Sequence, residues 1–159
     1  MAKVRQELPK AKVGYDRDFF GWTQHQAELL RREAALRPGT SLDLENLAEE
    51  IESLGKRDRR ALTNNVARIA EHLLKLQYSP AKDPRPGWEN SVDVHRSKAR
   101  RILADSPGLS SDLQDTLGES YDDGRRCAAR ALRGELDPKL LPERCPYTVD
   151  QIIDHDWWP

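Results

Sequence analysis

The stretch from Asp43 to Tyr78 constrains this chain more than any other. Leu44, Leu47, Ile51 and Leu54, followed by Leu62, Val66, Ile69, Leu73 and Leu76, recur mostly three or four residues apart. That period gathers side chains onto one stripe of an α-helix, so the stretch reads as a core-facing amphipathic helix. Unbroken, it would span roughly 50 Å at a rise of 1.5 Å per residue, which predicts either one very long helix or two helices with a bend near Gly55. Ser41 or Asp43 is placed to cap its start. Asp43, Glu45, Glu49, Glu50 and Glu52 precede Gly55, whereas Lys56, Arg57, Arg59, Arg60 and Arg68 outnumber the acids beyond it. This polarity complements the helix dipole.

Other helices can be placed around this one. Met1 to Gly14 carries Lys3, Arg5, Lys10 and Lys12 with little apolar content, and reads as a loose tail ahead of a single helical domain over residues 15–159. Asp16 or Asp18 caps a first helix whose apolar side uses Phe19, Trp22, Leu29, Leu30 and Leu36, with Gln26 at its margin; Arg37-Pro38-Gly39 ends it. Pro80, Pro84 and Pro86 predict a stiff loop from Ser79 to Gly87. Trp88, Val92, His95, Ala99, Ile102 and Leu103 then give a third apolar face. Ser106 as cap and Pro107 at the first turn open a fourth helix, through Leu109, Leu113, Leu117, Tyr121, Ala128 and Leu132 to about Gly134. Thr148 with Gln151 has the form of a capping box at a short final helix, beyond which Trp157 and Trp158 are expected to close the core.

At 159 residues the chain is long enough for one domain that buries roughly 70% of its unfolded surface. Charged residues reach 33% against 37% apolar, and β-branched runs are few, which favours helices with narrow apolar stripes over a sheet. A formal net charge of −1 supplies no overall field toward nucleic acid or anionic membranes. Cys127 and Cys145 lack metal-ligand or redox spacing and are expected as thiols. Neither a transmembrane run nor a secretory signal is visible, so a cytoplasmic location is expected.

Two groups of side chains are candidates for a site. Glu49 and Glu52, with His72, His95 and Arg96, form a candidate polar cluster. Glu45, Glu49 and Glu52, spaced four and three apart, would offer carboxylates to a divalent cation if a histidine converged from another helix. No Glu-x-x-His pair supports this, so the acids are read as a solvated, dipole-complementing face with no metal or cofactor, and His72 as a histidine with one neutral hydrogen-bond partner. Arg96, Lys98, Arg100 and Arg101 form a candidate basic patch. The acids from Asp105 to Asp123 supply opposing charge, so pairing within the fold is favoured over nucleic-acid contact. Ser53, Ser91 and Cys145 sit in no nucleophile signature, and no catalytic residue is assigned.

Leu42-Asp43 leading into Glu49-Glu50-Ile51-Glu52-Ser53-Leu54-Gly55, then His72-Leu73-Leu74-Lys75, resembles the bacterial family known as domain of unknown function 29 (DUF29). The likeness extends to Tyr15-Asp16, Asp18-Phe19, Trp88, Arg96, Ser106-Pro107, Tyr121, Cys145-Pro146-Tyr147 and Asp156 to Pro159. It implies an all-helical fold in a bacterial setting, and supplies no reaction, cofactor or catalytic residue. The chain is therefore expected to be an all-α bundle of four main helices with a short C-terminal helix. Its expected role is a non-catalytic interaction or regulatory module with a protein partner. The alternatives are a nucleic-acid-associated accessory protein and, below it, a metal-dependent hydrolase.

Overall fold

A computed structural model describes residues 14–159; the tail expected over residues 1–14 therefore lies, apart from Gly14, outside the described residues. The order is α1 (Phe19–Leu36), α2 (Leu44–Tyr78), α3 (Arg85–Asp105), a 3-10 segment (Pro107–Asp112), α4 (Leu113–Ala131), a 3-10 turn (Pro138–Leu140) and α5 (Val149–Ile153). The all-α bundle of four long helices and one short one is the expected fold. α2 is its axis, and α1, α3 and α4 each pack on it.

α2 begins where Asp43 accepts a hydrogen bond from the Asn46 amide, and it runs 35 residues without interruption. The break considered at Gly55 is thus not present. Gly55 is there for close approach: a Cβ at this position would lie 2.2 Å from Thr23 Oγ1 of α1. The second half of α2 carries the core, with Leu62, Val66, Ile69, Leu73 and Leu76 buried as their spacing predicts. Val92 and Ala99 of α3 join them, as do Leu113, Leu117, Tyr121 and Ala128 of α4 and Ile152 of α5.

The first half of α2 differs from its predicted pattern. Leu44 and Ala48 are buried against α1, but Leu47 and Leu54 are exposed. On α1 the buried residues are Thr23 and Ala27, while Phe19, Trp22, Leu29 and Leu30 are only half-buried and Leu36 lies in solvent. The seam is made of small residues, so the helices sit too close for leucines to lie between them.

α3 starts earlier than the prolines suggested, with Pro84 as its N-cap and Pro86 in the first turn, where a missing N–H leaves no intrahelical bond unmade. Ser106 is the N-cap residue of the 3-10 segment, as its sequence suggests, but its side chain makes no capping bond there. Its hydroxyl accepts from the Phe20 amide (3.2 Å) and donates to Asp58 (3.2 Å), pinning α1 and α2 to the end of α3. Asp18, besides capping α1 through the Gly21 amide, accepts from the Gly108 amide at 3.1 Å. Pro107 opens the 3-10 segment, so α4 begins only at Leu113, and it stops at Ala131, short of Gly134.

The C-terminal segment is held by side-chain hydrogen bonds between it and the bundle. Tyr121 Oη donates to the Pro142 carbonyl (2.6 Å), Arg125 to that of Leu141, and Tyr147 to Gln77 Oε1 (2.9 Å). The Thr148–Gln151 capping box is present. Trp157 meets Tyr147 edge-on and packs against the core, whereas Trp158 lies outside it, 38% exposed.

Candidate functional site

The residues nominated from the sequence do not converge. Glu49 is exposed near the start of α2, and Glu52 pairs with Arg31 of α1 (2.6 Å) and with Lys56 (3.3 Å). His72 lies twenty residues further along the same helix, about 30 Å away. Among the described residues, no group of three or more His, Cys, Asp or Glu side chains is arranged to hold a metal ion. Lys98, Arg100 and Arg101 lie exposed on α3, but Arg96 does not join them. It is fully buried, donating from Nε to the Ile152 carbonyl (3.0 Å) and from Nη2 to that of Gln151 (2.8 Å), with its guanidinium 5.0 Å from the Trp158 ring centre. Arg96 therefore belongs to neither patch; it anchors α5. The cause is its register, on the same side of α3 as Val92 and Ala99.

What the fold assembles instead is a groove of about 530 Å³ along α2. Asn64, Asn65, Ala67, Arg68 and Glu71 of α2 line it, with His95 of α3 on one side and Asp123, Gly124, Arg126, Cys127 and Arg130 of α4 on the other. Gly124 lets α4 come close: a Cβ there would stand 2.6 Å from the Ala67 carbonyl oxygen and 3.2 Å from the Ala70 Cβ. His95 and Arg96, adjacent in sequence and about 100° apart around α3, face different neighbours, one the groove and one α5.

The electrostatics of the groove centre on Glu71, which is 5% exposed. It accepts from Lys75 Nζ at 2.5 Å, itself buried, and from Arg68 Nη1 at 2.7 Å. Burial alone would push its carboxyl up, but these two cationic donors more than offset that and hold it below the usual range. His72 stands beside this pair with Nδ1 buried and without a hydrogen-bond partner among the described residues, contrary to the single partner expected for it. Burial first, then the Lys75 charge, bring His72 down to about 4, with Glu71 pulling the other way. His95 is lowered too, by burial and then by Lys98 and Arg68. Both rings are neutral near pH 7. With Asn65 Oδ1 at 2.8 Å as acceptor, the His95 proton sits on Nδ1, and Nε2 is left as an acceptor.

These shifts set the acid response. The unfolded chain takes up a proton on His72 near pH 6.5 whereas the folded chain resists until about pH 4, so folding stability is full above pH 6.5 and declines between these values. The lowered Glu71 carboxyl adds a loss in the same direction at the acidic end. Denaturant titrations should show stability falling by about 3 kcal/mol from pH 7 to pH 4 through His72, and His72→Gln should flatten that slope. An unchanged slope in the variant would assign the acid response to other groups.

The groove is not visible in the sequence because its cations come from helices far apart in the chain. One local signal was available. Glu71 and Lys75, an i,i+4 ion pair, interrupt the apolar run from Ile69 to Leu76, and charges at that register are buried only when paired. No described helix is long and apolar enough to cross a membrane.

Comparison with curated proteins returns no match. Among solved structures, the fold is similar to an α-helical protein of unknown function from Rhodospirillum rubrum ATCC 11170, with a TM-score of 0.75 and 26% identity over 92% of this chain and 93% of that one. The model of the family described as domain of unknown function DUF29 matches residues 14–158, nearly the whole described chain, and the chain belongs to that family.

Proposed function

We propose that this protein is a helical binding module that takes an acidic segment of a protein partner into the groove along α2. The observation that carries the reading is the charge balance of that groove, in which three guanidinium groups face two carboxylates that are already engaged. Glu71 is satisfied by Lys75 and Arg68, and Asp123 by Arg126, while Arg130 has no ion-pair partner among the described residues. Planar guanidinium groups bind carboxylates bidentately. The amides of Asn64 and Asn65 and the Nε2 acceptor of His95 add groups that suit a peptide backbone, which offers N–H donors. A phosphodiester backbone offers none, which favours peptide over nucleic acid here. The exposed Arg100 and Arg101 do not line the groove and support the nucleic-acid alternative less well.

Fluorescence titration with a glutamate-rich peptide, beside a single-stranded oligonucleotide of equal length, tests this. The peptide should bind with salt-dependent affinity, and Arg126→Glu with Arg130→Glu should weaken it at least about tenfold, on the scale of about 1 kcal/mol per exposed charge contact. Arg100→Glu with Arg101→Glu should leave it unchanged. Tighter oligonucleotide binding, with a steep salt slope that the Arg100 and Arg101 changes abolish, would replace this reading with the nucleic-acid one.

A further inference from the structure

We infer that the groove is one end of a longer trough between α2 and α4, and that its ligand is an extended segment with two acidic residues about five positions apart, one for each end of the trough. This deepens the binding reading above and rests on it. A second depression, of about 340 Å³, is lined by Arg59, Arg60, Thr63 and Asn64 of α2 and Glu119 of α4, and it shares Asn64 with the groove. Helical register joins the two. On α2, Arg60, Asn64, Ala67 and Glu71 each line one depression or the other and fall four, three and four residues apart. On α4, Glu119, Asp123, Arg126 and Arg130 do the same at the same spacing. Each set is therefore a single stripe of its helix, about three turns long. The helices run in the same direction, since Glu119 lies 3.9 Å from Arg59 while Gly124 packs on Ala67 and Glu71 further along. The two depressions thus lie end to end.

Charge and polarity select the occupant. The carboxylates along the trough are engaged: Glu71 by Lys75 and Arg68, Asp123 by Arg126, and Glu119 by Arg59. Arg60, like Arg130, is exposed and has no ion-pair partner among the described residues. These two free guanidinium groups stand at opposite ends, Arg60 on the α2 side and Arg130 on the α4 side. Followed along α2 from Arg60 to the Gly124 contact and then along α4 to Arg130, the path is roughly 20 Å at 1.5 Å per residue. An extended chain advances about 3.3 Å per residue and turns alternate side chains to opposite sides. Two acids five apart, helped by the reach of their own side chains, therefore meet one arginine on each side. Asn64, exposed where the depressions meet, presents an amide that both donates and accepts, as a passing peptide unit requires. Neither stripe carries a large apolar side chain, so a helix, whose backbone groups are already paired, gains little here, whereas an extended backbone has its N–H and C=O groups to offer.

Fluorescence anisotropy on the full chain, with labelled glycine–serine peptides carrying two glutamates either five or two positions apart, tests this at about 0.15 M salt. The wider spacing should bind at least about tenfold tighter, because only it reaches both ends. Arg60→Glu should weaken that peptide about tenfold and the closely spaced one by less than about twofold, since the Arg130 end lies beyond the screening length of about 8 Å. Should Arg60→Glu disturb folding, Arg60→Gln removes the charge alone and should act in the same direction. Equal binding of both peptides, untouched by Arg60→Glu yet still weakened by Arg126→Glu with Arg130→Glu, would overturn the trough and leave the groove reading standing. Failure of either peptide to bind, or binding insensitive to the Arg126 and Arg130 changes, would overturn both. Tighter binding of an alanine-rich helical peptide with its glutamates three turns apart would overturn the extended conformation.

Discussion

Arg96→Ala should destabilise the fold by about 3 to 5 kcal/mol, the range found when a buried charged group is removed from its partners. The side chain is fully buried, and its loss strands the carbonyls of Gln151 and Ile152 at the end of α5, each costing about 1 to 3 kcal/mol when left unsatisfied. It also opens a cavity the size of a long side chain and frees Trp158 from the guanidinium face. Arg96→Met should recover part of the loss, because it restores packing without the donors. Urea titrations with all three proteins measure this, and the α5 residues should lose amide-exchange protection first in the Ala variant. A change below about 1 kcal/mol would mean that α5 is held by Tyr147, Ile152 and the capping box alone.

Gly124→Ala and Gly118→Ala should move stability in opposite directions although both lie within α4. In an exposed helix interior alanine is favoured over glycine by about 1 kcal/mol. Nothing lies within 4 Å of a Cβ at Gly118, so that substitution should stabilise by up to this amount. At Gly124 the Cβ would meet the Ala67 carbonyl oxygen at 2.6 Å and the Glu71 amide nitrogen at 3.1 Å, both backbone atoms of α2 that cannot turn aside. The helices must separate, which costs about 1 to 3 kcal/mol, and the floor of the groove shifts with them. Thermal melts of the two single variants decide it. If Gly124→Ala is neutral or stabilising, α4 can slide on α2 and the groove is not fixed by that contact.

The part of the fold built on large apolar residues at helical spacing was legible in the sequence. Leu62 to Leu76, Val92 with Ala99, and Leu113 to Leu132 all face the core as their periods require. The α1–α2 seam was not legible, because Thr23, Ala27, Ala48 and Gly55 carry little hydrophobic signal and act through what they leave out. Ser106-Pro107 has the local form of a helix start, yet the hydroxyl is used by Phe20 and Asp58, 86 and 48 residues away, and no local rule reports such partners. Arg96 was misread for the same reason. A basic residue within a basic run gives no sign that its register turns it inward, whereas its neighbours Lys98, Arg100 and Arg101 lie in solvent as expected. The groove needed the tertiary structure, since Arg68 and Arg130 are brought together only by the packing of α4 on α2.

Amide chemical-shift mapping during titration with the glutamate-rich peptide tests most directly whether the groove is where a partner binds. The largest shifts should fall on Asn64, Asn65, Arg68 and His95 and on α4 from Asp123 to Arg130, and they should vanish in the Arg126→Glu, Arg130→Glu protein. Shifts centred instead on Arg100 and Arg101, or spread evenly over the exposed cations of α2 and α3, would contradict it.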